Sequence, residues 1–377
     1  MSIVETNNIE TNNYWIYDGK LIFKPNFNEC INEHYVLLLF LSKIDTIIFS
    51  EYDNLRIFLK FSDVVPNMYH KNFVRSKFNK KIEFEKYINI INITKIIFPN
   101  SFNQDVKLKN YYGLKYLVFG HEFDSILELE EGLEYLSFGY NFNQNLILLK
   151  SLKYVKFGSN FDRLIILSQS LEQLIFGSCF NQPIELNNNL KQLTFGQKFN
   201  QYIQLNDNLT RLTFSNNFNQ YIQLNNNLTH LTFGNDFNQP IQLNNKLIYL
   251  VLGSCFNQDI CLCESLKYLE INCNLINIIN YLPNNLTELV LEYNFKLELN
   301  DLPNSIKSIK FYNSNYLYQL NNLPNSVEYL ELPNGYNLQI NKFPNKLKKI
   351  KCDCNYKFVD DFANKYDIEL NIRYFQK

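Results

Sequence analysis

The chain has 377 residues, and its 36 Lys and Arg nearly balance 37 Asp and Glu, which argues against a strongly basic nucleic-acid surface and against an acidic tail. Aromatic residues make up 16% of it, with 32 Phe and 26 Tyr against only 11 Gly and 10 Pro, so there is ample apolar surface to bury and disorder is excluded. The longest apolar run, residues 35–41, is far short of the ~20 residues that cross a bilayer, and the polar N-terminus lacks a secretory core segment. The expectation is a soluble, intracellular, cytoplasmic protein with no membrane contact.

In chain order, YWIYDGKLIFK (14–24) alternates around Asp18-Gly19 and predicts a hairpin with a two-residue turn. Leu37, Phe40, Leu41, Ile44 and Ile47 then take helical spacing, and a second amphipathic stretch from Leu55 to Phe61 ends near Pro66. Residues 1–91 are therefore expected to be a small α+β cap, a hairpin plus a compact helical region covering the first coil of a repeat array.

The array itself is written in phenylalanine. A Phe followed by Asn or Asp recurs at Phe102, Phe123, Phe142, Phe161, Phe180, Phe199, Phe218, Phe237 and Phe256, with a 21-residue first step and a 19-residue step every time after it. A fixed period of this length identifies stacked architecture. The clearest unit, FNQPIELNNNLKQLTFGQK from Phe180, has two apolar alternations. Ile184 and Leu186 face one side of a first strand, and Leu193 and Phe195, with Leu190 just before, face one side of a second. The Asn-rich and Phe-Gly segments between them suit turns, and Gly139, Gly158, Gly177, Gly196, Gly234 and Gly253 are read as turn residues. The Asn after each Phe (Asn103, Asn143, Asn181, Asn200, Asn219, Asn238, Asn257) is read as a stacked ladder bonding turn backbone between coils, the alternative being an exposed binding edge.

Beyond Phe256 the pattern continues, at a slightly longer step, as Leu282-Pro283, Leu302-Pro303, Leu323-Pro324 and Phe343-Pro344. The fold class expected is mainly β: a β-solenoid of about 14 short-strand coils over 92–358, with a short C-terminal cap at 359–377.

Phe180-Asn181-Gln182-Pro183-Ile184 and Phe237-Asn238-Gln239-Pro240-Ile241, each linked to an L-x-x-L-x-F strand, resemble the FNIP-repeat family, known from social amoebae and from giant DNA viruses of amoebae. Its repeats are related to leucine-rich repeats, so the resemblance implies a leucine-rich-repeat-like solenoid and, for a viral chain, the host cytoplasm. It extends over the whole array, 92–358. The units here are shorter than the family's usual length, and its Leu-Pro-Asn element survives only in the C-terminal coils. Residues 35–75 also resemble a degenerate F-box in length and helix order. The F-box's opening Leu-Pro and closing Trp are absent, and the other reading is a plain cap.

On each strand the residues before and after the second Leu share the face opposite the core. Tyr116, Tyr135, Tyr154, Arg211, His230, Tyr249 and Tyr268 lie in the first of these columns and are the candidate partner-binding residues, since Tyr and Arg are enriched at interfaces. Equally, Tyr and β-branched residues suit any exposed sheet. The second column includes Thr194, Thr213, Thr232 and Glu270.

Catalytic chemistry finds no constellation. His34, His70, His121 and His230 stand in no metal or triad spacing, and no glycine loop fits a phosphate. Cys261/Cys263 and Cys352/Cys354 are C-x-C pairs that invite zinc. They lie about five coils apart, on the order of 24 Å at the inter-strand spacing, against ~2.3 Å for a zinc–sulfur bond. Reduced thiols are expected, with no metal, no cofactor and no enzymatic activity; Cys273 is the one cysteine with a local partner to reach, Cys261 or Cys263. Asn92, Asn208, Asn227 and Asn285 form Asn-x-Thr sequons read as by-products of the repeat. The function expected is a scaffold for protein partners, without nucleic acid. The alternatives are a substrate receptor of a host ubiquitin ligase acting through the F-box, and a structural or packaging protein.

Overall fold

The L-x-x-L-x-F segments are the strands, and repeat length sets the register between them. The computed structural model describes residues 9–24, 27, 45–49, 93–108, 113–273, 281–292, 295, 297–312, 316–353, 356–363 and 369–373. In it Tyr135 lies opposite Tyr154, and Tyr154 opposite Gln173, so register partners stand one repeat apart. A step of this length returns every Leu to the inside and every alternate residue to the outside, so one slip would invert the whole face. The chain divides into two compact units, Met1–Leu190 and Lys191–Lys377.

In the first unit β1 (Ile9–Glu10), β2 (Tyr14–Tyr17) and β3 (Lys20–Phe23) pair antiparallel. The β2–β3 hairpin turns on Asp18 and Gly19, with φ of 47° and 72°, the left-handed pair that matches strand twist. Then β4 (Thr46–Phe49) and β5 (Lys95–Ile97) join in parallel. The short β6 (Val106–Lys107) and β8 (Leu127–Glu128) form a separate ladder. The main sheet runs on through β7 (Tyr116–Val118), β9 (Tyr135–Ser137), β10 (Tyr154–Lys156) and β11 (Gln173–Ile175).

The second unit continues the same grammar. Its parallel strands are β12 (Gln192–Thr194), β13 (Arg211–Thr213), β14 (His230–Thr232), β15 (Tyr249–Leu252), β16 (Tyr268–Ile271), β17 (Glu288–Leu291), β18 (Ser308–Phe311), β19 (Tyr329–Glu331) and β20 (Lys349–Asp353). After the short helix α1 (Asp360–Ala363), β21 (Glu369–Arg373) pairs with β20.

From Phe98 to Phe237 each coil contributes a pair of phenylalanines to the core. Phe138 and Phe142 stack at 3.8 Å and 9°, and Phe142 stacks on Phe161 of the next coil at 6.1 Å and 5°. In the second unit Phe214 and Phe218 stack at 3.6 Å, and Phe218 meets Phe237 at 6.0 Å. Fully burying one such ring stabilises by about 1.5–3 kcal/mol, and the stack adds to that only when a neighbouring coil is present, which is why the units come in arrays. In the C-terminal coils Phe295, Tyr316, Tyr336 and Tyr356 take this place, and the hydroxyls of Tyr336 and Tyr356 donate to the carbonyls of Tyr318 (3.2 Å) and Leu338 (2.8 Å).

Polar ladders hold the turns. The side-chain oxygens of Asn103, Asp124, Asn143 and Asp162 each accept the backbone N–H of the matching residue one coil on, at 2.8–3.0 Å. Asn200, Asn219 and Asn238 do the same at 2.9–3.0 Å. A second device satisfies the carbonyl of the first strand Leu. Either an Asn shortly ahead of the next coil's Leu reaches it, as Asn225 reaches Leu209 (3.0 Å), or a Ser just ahead of that Leu does, as Ser265 reaches Leu247 (2.7 Å). Sequon residues serve these turns too: the amides of Asn227 and Asn285 donate to Asp207 and Glu264 of the preceding coil.

Four expectations need correction. Ile47, read as the end of a helical stripe, lies on β4 in the parallel sheet; apart from 45–49 the segment 35–75 falls outside the described residues. The parallel ladder starts at β3, not at residue 92, and Phe23, Phe49 and Phe98 already form its ring stack at 5.2 and 5.9 Å. At the other end it passes residue 358 to β21. The first alternation of each unit is laddered only at β6–β8, which spans the longer Phe102-to-Phe123 step; among the described residues the shorter coils leave Ile184 buried on an unladdered segment. Finally, the repeated glycines, read as turn residues, do not have the positive φ that would make a turn require glycine. A Cβ on Gly139, Gly158 or Gly177 would sit 1.5–2.2 Å from the carbonyl oxygen of the preceding coil, so their role is close backbone approach.

Candidate docking face

Because strand residues alternate, the outward face of the sheet is written by two columns. At the N-terminal end this face is apolar and buried: Trp15, Ile22 and Ile48 form a cluster against which Tyr17 and Ile97 pack. From β7 onward it opens. Tyr116, Tyr135 and Tyr154 are register partners on β7, β9 and β10, with Tyr116 45% exposed. Tyr135 and Tyr154 stack at 4.2 Å and 5°, while Tyr116 leans on Tyr135 at 5.6 Å. Desolvation pushes the Tyr154 phenol well above its ordinary range, so this ring stays neutral. Beside it Glu134 bridges Lys115 (3.2 Å) and Lys153 (2.8 Å), and the lysine hydrogen bonds hold its carboxyl below the usual value.

The other four candidates, Arg211, His230, Tyr249 and Tyr268, are successive register partners on β13 to β16 of the second unit. Arg211 and His230 border a groove of about 520 Å³ whose walls include Gln192, Thr194, Thr213, Thr232 and Tyr249. His230 Nδ1 lies 2.9 Å from the Thr229 hydroxyl, and burial, then the Arg211 charge, lowers the imidazole pKa. His230 packs on Tyr249 at 5.5 Å, and Tyr249 on Tyr268 at 4.1 Å and 10°. The Tyr268 hydroxyl donates to Glu270 Oε2 at 2.5 Å. Further along, Lys310 pairs with Glu288 and sits 5.9 Å over the Tyr329 ring.

Each candidate is thus on the outward face, the first three as one run and the last four as another. The groove-forming threonines lie in the second column, legible in the alternation. Glu292 escapes the sequence reading, because it stands just beyond the end of β17; burial and then the neighbouring Glu270 raise its pKa. Among the described residues no group of three His, Cys, Asp or Glu stands ready for a metal ion. Cys263 is buried and directs its sulfur to the Leu247 carbonyl at 3.4 Å. Among the described residues no helix is long and apolar enough to cross a membrane.

Comparison with known proteins agrees with this architecture. Residues 293–335 match the family model described as FNIP Repeat. The match falls on coils that keep Leu302-Pro303-Asn304 and Leu323-Pro324-Asn325, whose longer step is nearer the family's length, and not on the shorter coils with the clearest Phe-Asn units. No curated protein matches the chain. Among solved structures, CroV588, a giant virus protein described as a novel circular LRR protein structure, is similar at 32% identity with a TM-score of 0.67. That similarity covers 96% of this chain and 60% of CroV588, so the chain spans less than two thirds of its relative's length. YopM from Yersinia enterocolitica is similar at 17% identity over 74% of this chain and 79% of its own, with a TM-score of 0.37. A leucine-rich repeat protein from Bacteroides ovatus is similar at 16% identity over 77% and 80%, with a TM-score of 0.24. The chain thus carries a match to the FNIP repeat at residues 293–335, and its mainly β fold is a leucine-rich-repeat-like solenoid.

Proposed function

We propose that this protein is a non-enzymatic scaffold that docks protein partners on the outward face of its parallel sheet. The observation that carries the reading is the Arg211–His230–Tyr249–Tyr268 run. It sets a groove of about 520 Å³ beside stacked rings, one part rich in hydrogen-bond donors and the next flat and aromatic. Aromatic rings already stacked on a regular sheet lose little freedom on binding, and Tyr and Arg are enriched among interface anchors. A repeat solenoid of leucine-rich type is a fold that commonly serves protein interaction.

The test begins with proximity labelling in native or infected cells, followed by affinity measurement on a purified partner. Replacing Tyr116, Tyr135 and Tyr154 with Ala together, or Tyr249 and Tyr268 together, is expected to weaken binding about tenfold or more in at least one set, as loss of aromatic anchors does. Unchanged affinity in both sets would remove the docking face from this side of the sheet.

A further inference from the structure

From β13 to β17 the outward residues change character in a fixed order. Arg211 and His230 come first, Tyr249 and Tyr268 come next, and Glu270, Glu288 and Glu292 close the run. At the first end, the register partners of Arg211 are Gln192 and His230, and among the described residues no carboxylate pairs with its guanidinium. The groove around it is lined by an amide, an imidazole and threonine hydroxyls, and not by an acid. Arg211 is an exposed cation at the border of a donor-rich groove, and such a cation calls for an anionic group.

The far end is opposite in sign. Glu270 accepts the Tyr268 hydroxyl, Glu288 pairs with Lys310, and Glu292 lies against Glu270, so three carboxyl groups share one bonded ammonium among the described residues. With Glu288 paired to Lys310 and Glu270 bonded to the neutral Tyr268 hydroxyl, this end carries more carboxyl than ammonium groups among the described residues. Between the two ends lies the Tyr249–Tyr268 stack at 4.1 Å, an uncharged platform for an apolar side chain.

We propose that this strip binds an extended segment of a protein partner that reads acidic, apolar, basic, its carboxylate against Arg211 and His230 and its cation against Glu270 and Glu288. The inference rests on the docking reading above and adds the chemistry of the occupant. Four strand steps separate β13 from β17, roughly 19 Å at ~4.8 Å each, which an extended chain rising ~3.3 Å per residue covers in about six residues. The apolar contact falls about midway. A nucleic acid meets the acidic end unfavourably, and a purely acidic peptide leaves that end unmatched.

The experiment is selection of a random displayed peptide library on the immobilised full-length protein, with fluorescence anisotropy on the synthesised, labelled winners. Enriched peptides are expected to carry an acidic and a basic residue about six positions apart with an apolar or aromatic residue between. Arg211→Glu should weaken them roughly tenfold or more and Glu270→Lys with Glu288→Lys should do likewise, while Arg211→Lys retains most affinity. Arg211→Ala, with circular dichroism on every variant, separates lost recognition from lost folding. Failure to enrich this pattern overturns the proposal, as do winners indifferent to Arg211→Glu. If such winners, including phosphopeptide-like or purely acidic ones, still weaken with Tyr249→Ala and Tyr268→Ala, the docking face stands with a different occupant. Winners untouched by any substitution on the face end both readings.

Discussion

Asn219 Oδ1 accepts the backbone N–H of Asn238 at 2.9 Å, and Asn238 stands one coil later at the same place in its own unit. The bond uses only the side-chain oxygen of residue 219, and the Gln239 amide shares it at 3.2 Å. Asp124 and Asp162 do the same work elsewhere in the chain, as expected when the donor is a backbone N–H. Asn219→Asp should therefore leave stability nearly unchanged. Asn219→Ala strands a half-buried donor and should cost about 1 kcal/mol in chemical denaturation. Equal loss in both variants would mean that the amide nitrogen, not the oxygen, carries the ladder.

Close packing of coils gives a second prediction. A Cβ at position 158 would lie 1.5 Å from the Gly139 carbonyl oxygen, which is backbone and cannot swing aside. Gly158→Ala is expected to destabilise by about 1–3 kcal/mol through overpacking, although Ala is otherwise the better residue for an extended chain. Ser215 occupies the matching place three coils on, so a coil can shift to admit a side chain. The cost at 158 is that shift, read as a lower denaturation midpoint with unchanged slope.

Much of this is legible in the sequence where the period is strict. The Phe-Asn column, the L-x-x-L-x-F strands and the outward Tyr residues come from regular spacing and strand alternation. The first coils escape because their spacing is irregular, yet their pattern is present: Ile44-Asp45-Thr46-Ile47-Ile48-Phe49 repeats as Ile93-Thr94-Lys95-Ile96-Ile97-Phe98, far outside the regular period. Phe23 and Phe27 likewise repeat as Phe98 and Phe102, stacked at 4.2 and 4.3 Å. Helical spacing through Ile47 is an accident of apolar density, and pairing with β3 and β5 decides the strand. The glycines mislead because sequence shows tolerance of unusual φ and not the carbonyl that crowds the missing Cβ. Groove walls and carboxyl pairing depend on cross-coil distances, which no single unit contains.

Cysteine reactivity separates inner from outer positions. Cys255 and Cys261 are exposed, whereas Cys263, Cys273 and Cys352 are buried, and burial pushes the Cys273 thiol up to about 12. Since the thiolate is the reactive form, iodoacetamide at mildly alkaline pH should modify Cys255 and Cys261 first, and Cys273 only when denaturant opens the coil. Peptide mass spectrometry over a time course measures this. Early labelling of Cys273 in the native protein would show that its coil is not closed.

Glu292 supplies a pH dependence with a definite sign. Burial, and then the charge of Glu270 beside it, raise its carboxyl pKa above the ordinary 4.5. A group whose folded pKa is raised binds more protons in the fold than in the open chain between the two values. Its contribution to stability is therefore greatest below about 4.5 and is lost as pH rises through the folded pKa. Glu134 and Glu328 run the other way, since lysine contacts lower theirs and they favour the fold above the ordinary value. Thermal melts of the parent protein alone would mix these opposite slopes, so the informative quantity is the difference between parent and Glu292→Gln. Gln keeps the shape and removes the charge. The variant should melt close to the parent at acidic pH, where Glu292 is protonated in both states, and above it at neutral pH, where the parent must hold two neighbouring carboxylates. A difference that is flat with pH, or one that favours the parent at neutrality, would show that Glu292 is fully solvated and that the acidic end of the strip carries no excess repulsion.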